Sequence, residues 1–103
     1  LEREIDAEGE EGFTRIRMPR HDEIFGIVEQ RMGFGKMSVR CQDEHVRLCR
    51  VKTKGRKKLW IAEGNVVLVK PWELKGDVKG DIVYKYSKAQ VGWLRRKNIL
   101  IIE

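Results

Sequence analysis

Residues 24–51, IFGIVEQRMGFGKMSVRCQDEHVRLCRV, read as three strands joined by two tight turns. Residues 24–32 are rich in β-forming side chains, and Gly26 in mid-strand predicts a bend or bulge there. Gly33-Phe34-Gly35 supplies a turn. In residues 36–42 the alternation is clean: Met37, Val39 and Cys41 face one way, while Lys36, Ser38, Arg40 and Gln42 face the other. Asp43-Glu44 turns the chain into a third strand over residues 45–51. Short connections between adjacent strands predict an antiparallel meander.

Downstream, residues 52–58 (KTKGRKK) are too charged to lie anywhere but on the surface, and Leu59, Trp60 and Ile61 are expected to anchor them. After a turn at 63–65, residues 66–69 form a continuously apolar fourth strand that Pro71 ends. Residues 72–80 read as a loop punctuated by Gly76 and Gly80, and residues 81–86 as a fifth strand. Ser87-Lys88-Ala89-Gln90 has the form of a capping box, which predicts a helix to about Lys97. Trp93 and Leu94 would pack inward, Arg95, Arg96 and Lys97 would complement the negative helix end, and Asn98 would stop it. The apolar residues 99–102 need cover, either as a further strand or docked on the barrel. The predicted fold class is therefore all-β: a five-stranded oligonucleotide-binding (OB) Greek-key barrel with a short C-terminal helix. An SH3-like barrel has a similar strand count, and periodicity does not separate the two.

Upstream, residues 1–14 are acidic and contain too few large apolar groups to offset ordering entropy. They are expected to form a flexible tail, and Pro19 marks the basic piece that follows as extended. The domain reading is thus tail 1–14, barrel 15–86, and helix with apolar end 87–103. At 103 residues this is one domain. The formal net charge of +6 is unevenly placed: residues 1–11 carry −5, leaving +11 on the remainder. An excess of that size on a small folded unit points to a polyanion, most often nucleic acid.

Catalytic patterns are lacking. No phosphate-binding Gly-Lys-Ser/Thr loop, His-Glu-x-x-His or Gly-x-Ser-x-Gly occurs, so neither enzyme activity, cofactor nor metal is expected. Cys41 and Cys49 lack metal-site or disulfide spacing and read as small buried hydrophobes on neighbouring strands. No apolar run reaches the roughly 20 residues of a membrane span. The first residues are acidic where a signal peptide would be basic and then apolar, so a cytoplasmic address is expected.

The strongest binding signal is Lys52, Lys54, Arg56, Lys57 and Lys58 followed at once by Trp60. Lysine and arginine neutralise phosphates and release counterions, and an aromatic at the rim can stack on a base. Lys36, Ser38 and Arg40 form a second patch, which Arg31 would extend, with His45, Arg47 and Arg50 as weaker members. OB-folds bind nucleic acid on the second and third strands and on the loops after the first and fourth. Phe34 is expected at a loop tip.

From about residue 16 to residue 93 the chain resembles the archaeal and eukaryotic translation initiation factor 1A family, relatives of bacterial initiation factor one. The likeness is carried by Gly33-Phe34-Gly35-Lys36 with Cys41, Val46-Arg47-Leu48-Cys49-Arg50, Gly55-Arg56-Lys57-Lys58-Leu59-Trp60-Ile61, and Asp81-Ile82-Val83-Tyr84-Lys85-Tyr86. It implies an OB-fold monomer at the decoding (A) site of the small ribosomal subunit. There it would contact ribosomal RNA and help place initiator tRNA on the start codon, beside other initiation factors. Arg56, Lys57, Lys58 and Trp60 match the family's RNA-contacting element, and Lys36 and Arg40 its first hairpin. Eukaryotic members carry a long acidic C-terminal tail, and by its length this sequence looks archaeal; its acidic residues occupy the N-terminus instead, where eukaryotic members are more often basic.

Two other readings compete. One is a general single-strand binder or RNA chaperone of cold-shock type, although Lys36, Met37 and Ser38 stand where that motif places aromatics. The other is a protein-interaction scaffold built around the apolar C-terminal end.

Overall fold

The computed structural model describes residues 3–10, 13–51 and 60–102, with side-chain surroundings from Ile16 onward. In chain order these residues form β1 (Arg3–Glu10), β2 (Phe13–Met18), β3 (Ile24–Gly33), β4 (Lys36–Cys41), β5 (Val46–Val51), β6 (Val66–Pro71), β7 (Lys79–Lys85) and α1 (Lys88–Arg96). Strands β3, β4, β5, β7 and β6 close into a barrel in that order. All neighbours are antiparallel except β5 and β7, which run parallel from Leu48 opposite Lys79 to Val51 opposite Ile82. This is the predicted five-stranded barrel of OB type, with the meander as its first three strands and one helix after its last.

The apolar run of β6 is explained by its place between two cores. Val67 and Val69 enter the barrel interior with Val28, Met37, Val39, Cys41, Cys49, Ile61 and Ile82. Val66 and Leu68 turn outward to a second cluster with Ile16, Phe25, Tyr86, Trp93, Leu94, Leu100 and Ile102. A strand covered on both faces shows no polar alternation. Cys41 and Cys49 are buried on neighbouring strands, as the sequence predicts.

Gly26 answers to crowding rather than to a bulge. A Cβ at this position would lie 2.5 Å from Val39 Cγ1. The irregularities of the β3–β4 ladder fall later, between Val28 and Gln30 and between Arg31 and Gly33. At the hairpin tip Gly33, Phe34 and Gly35 all have positive φ, which leaves Phe34 fully exposed.

The capping box forms as read: the Ser87 hydroxyl accepts from Gln90 N at 3.3 Å, and Ser87 N donates to Gln90 Oε1 at 2.9 Å. Trp93 and Leu94 are buried, and Asn98 takes the left-handed conformation that ends the helix. The apolar end docks instead of adding a strand. Leu100 and Ile102 enter the second core, while Gln42 holds the backbone on both sides by accepting from Ile101 N at 3.0 Å and donating to Ile99 O at 3.4 Å. Arg95 Nη1 donates to Ile102 O at 2.7 Å.

Regular structure in residues 3–10 departs from the expectation of a tail. β1 pairs with β2 in a register that sets Glu4 opposite Arg17, Ile5 opposite Ile16 and Asp6 opposite Arg15. β2 is itself fastened to the barrel. Ile16 is buried, the Tyr86 hydroxyl donates to Arg17 O, and the Arg17 guanidinium forks onto Glu23 at 2.9 and 3.0 Å. Among the described residues no helix is long and apolar enough to cross a membrane.

Candidate nucleic-acid interface

The two cores divide the barrel surface. α1 and the C-terminal segment lie against residues of β3 and β6, so among the described residues they leave the outer face of β4 and β5 uncovered. Alternation along β4 sends Met37, Val39 and Cys41 inward and Lys36, Ser38 and Arg40 toward solvent, as the sequence predicts. The ladder then pairs Lys36 with Arg50, Ser38 with Leu48, and Arg40 with Val46.

Lys36 and Arg50 come together at one end of this face. Both are exposed, and among the described residues neither is bonded to a carboxylate. Arg40 lies four residues along the strand, about 13 Å away at the usual rise. Its Nε donates to Glu29 Oε2 at 3.1 Å, a pair exposed at both ends. Lys36 is thus the more open of the two cations for a phosphate.

Trp60 stands against Arg31 of β3 and Lys85 of β7. It is 72 % exposed, whereas Ile61 enters the core at 4 % exposure; Leu59, the third expected anchor, lies outside the described residues. The Arg31 guanidinium lies 5.2 Å from the Trp60 ring centroid, and Lys85 Nζ donates to Trp60 O at 2.7 Å. An indole fixed against a cation and left open to solvent is suited to stack on a base. The other proposed contacts, Lys52, Lys54, Arg56, Lys57 and Lys58, lie outside the described residues.

Two weaker sequence candidates belong elsewhere. Arg47 points inward at 3 % exposure, forks onto Asp43 at 2.9 and 2.7 Å, and donates through Nε to Gly76 O at 2.5 Å. Its alternation partner is Cys49, so it is a structural arginine at the barrel mouth. That fork holds the Asp43 carboxyl below its ordinary range, and Asp43 in turn raises Arg47. His45 lies between carboxylates, with Nδ1 3.3 Å from Asp43 and Nε2 3.9 Å from Asp77, which is no setting for a phosphate. Conversely, Trp72 was hidden in the predicted loop. Its ring lies 5.2 Å from the Arg50 guanidinium, and its indole nitrogen donates to Asp81 Oδ1 at 3.1 Å. A tryptophan directly after Pro71 in a polar, glycine-marked loop was the available signal.

Comparison with known proteins sets this surface in a family. A family model described as Translation initiation factor 1A / IF-1 matches residues 14–103. The chain belongs to that family. It is 54% identical over 86 residues to Translation initiation factor 1A of Methanothermobacter thermautotrophicus, covering 84% of this chain and 87% of that protein. The namesake of Pyrococcus abyssi is 45% identical over 95 residues, covering 92% of this chain and 83% of its own. That of Methanococcus aeolicus is 46% identical over 89 residues, covering 84% and 85%. As a member of a translation initiation factor family, the chain has a role in translation initiation. The family match takes in the whole barrel, α1 and the C-terminal segment, whereas β1 precedes it.

Proposed function

We propose that the chain binds the small ribosomal subunit at its decoding (A) site through the outer face of β4 and β5, together with the basic segment 52–58. Bound there, it helps place initiator tRNA on the start codon. It acts as a cytoplasmic monomer, by binding rather than by catalysis. The observation that carries this reading is the facing pair Lys36 and Arg50 on a sheet face that no helix among the described residues covers. Two cations held side by side, neither bonded to a carboxylate among the described residues, are stabilised by a polyanion that bridges them. Trp60, exposed and stacked against Arg31, adds a sequence-tolerant stacking surface.

The reading is tested by sedimenting the protein with small ribosomal subunits across a salt series. Co-sedimentation is expected at low salt and loss of it as salt rises, with the triple change Arg56→Glu, Lys57→Glu and Lys58→Glu abolishing it while the barrel stays folded. A protein that remains at the top of the gradient at low salt, or binds regardless of salt, would overturn the proposal. Competition with oligo-U separates this reading from that of a general single-strand binder, which would be displaced as readily by the oligonucleotide as by ribosomal RNA.

A further inference from the structure

Trp72 opens the loop between β6 and β7, and an aromatic in such a loop ordinarily either enters a core or hangs free. This one does neither. It is half-buried, its indole nitrogen is tied to Asp81, and its backbone nitrogen donates to Lys79 O at 3.1 Å. The loop behind it is equally fixed. Arg47 reaches across to Gly76 O, and Gly76 is so close to Trp72 that a Cβ would lie 2.5 Å from the Trp72 carbonyl oxygen. The result is a ring held rigidly beneath an exposed guanidinium, 5.2 Å from Arg50 to the ring centroid.

Its surroundings select the ligand. Arg50 is the ladder partner of Lys36 on one side and of Asp81 on the other, and the Asp81 carboxylate is engaged by the indole. The Arg50 guanidinium over the ring and the ammonium of Lys36 beside it thus put two positive charges against the single Asp81 carboxylate at the edge of a flat apolar surface. Guanidinium planes and indoles both stack on unpaired bases, and a lysine one strand away is placed for the neighbouring phosphate.

We propose that Arg50 and Trp72 form a stacking platform for an unpaired RNA base, with Lys36 on the adjoining phosphate, a contact distinct from the one made by Trp60 and the basic segment. This rests on the reading that the β4–β5 face meets RNA. Asp43 and Arg47 act as positioning residues, since they hold the loop that carries the ring.

The test uses the full chain, labelled with nitrogen-15, and a single-stranded RNA 12-mer of mixed sequence. Trp72→Phe removes one of the three indole N–H signals and so assigns it. On titration the assigned signal should shift, Trp72→Ala should weaken binding about tenfold without changing the salt dependence, and Trp72→Phe should keep most of the affinity. Arg50→Gln should weaken binding and lower the slope of log affinity against log salt by about one. Should Trp72→Ala unfold the loop, the Trp72→Phe and Trp72→Leu pair decides, because only the aromatic retains stacking. RNA binding that persists unchanged in Trp72→Ala or Trp72→Leu, or that leaves the Trp72 signal unmoved, overturns the platform and leaves the β4–β5 reading standing. No RNA binding at any salt overturns both.

Discussion

Lys36 and Arg50 face each other across β4 and β5 as ladder partners, both on the solvent side. Like charges directly opposite in a sheet destabilise it by a few tenths to about 1 kcal/mol. Lys36→Gln is therefore expected to raise the unfolding free energy by about 0.5 kcal/mol in urea. In the same variant, affinity for small ribosomal subunits should fall several-fold and the salt slope should drop by about one. A variant that lost stability and kept its affinity would contradict the pairing described.

Arg47 is expected to matter for folding and only indirectly for binding. Arg47→Met takes both guanidinium donors from the Asp43 carboxylate, which keeps the His45 backbone N–H, and the side-chain donor from the Gly76 carbonyl. Breaking such a pair costs about 3–5 kcal/mol when it is fully buried. Asp43 keeps 32% of its side chain in solvent, so a loss of about 2 kcal/mol is expected, read from urea unfolding. Arg47→Lys should recover less than half of it, because an ammonium cannot reproduce the fork.

Acid should weaken the fold through two carboxylates. Burial alone would raise Glu23, but hydrogen bonds from Arg17 and the Arg20 backbone outweigh it and hold the carboxyl below its ordinary 4.5. For Asp43 the Arg47 fork is the leading cause, holding it below 3.8 against a smaller effect of burial. Since the folded forms are depressed, the unfolded chain binds more protons in acid. The stabilisation is complete above about pH 5.5 and is lost as pH falls through the ordinary values to the depressed ones. The urea midpoint should decline below about pH 4.5, and less steeply in the double variant Glu23→Gln, Asp43→Asn. A midpoint that rose on acidification would refute the assignment.

Cys41 and Cys49 should be inert while the barrel is closed. Burial pushes both thiols up, and for Cys49, with Cys41 nearby, the value is pushed up to about 12. At about pH 8 a thiol reagent such as dithionitrobenzoate is expected to label neither in the native protein and both in guanidinium. Rapid native labelling would show that the barrel opens at the β4–β5 ladder.

The sequence was most legible where one physical pattern acts alone. The alternation of β4 gives its two faces, the unbroken run of β6 betrays burial on both sides, and Ser87 with Gln90 marks the helix start. It misled where a residue answers to something distant along the chain. Arg47 looks like a surface base until Asp43 and the Gly76 carbonyl are brought to it. Gly26 signals a bulge until the Val39 side chain is brought against it. Trp72 reads as loop until the parallel pairing of β5 with β7 carries Arg50 to its ring. The charge density and the facing of Lys36 were readable; the stacks were not, since each joins side chains more than twenty residues apart.

The double role of β6 has a consequence for cooperativity. Because Val66 and Leu68 serve one core while Val67 and Val69 serve the other, neither half can melt without stripping a strand the other depends on. Helix and barrel should thus open as a single foldon, with amides of α1 exchanging hydrogen for deuterium at rates close to those of β6.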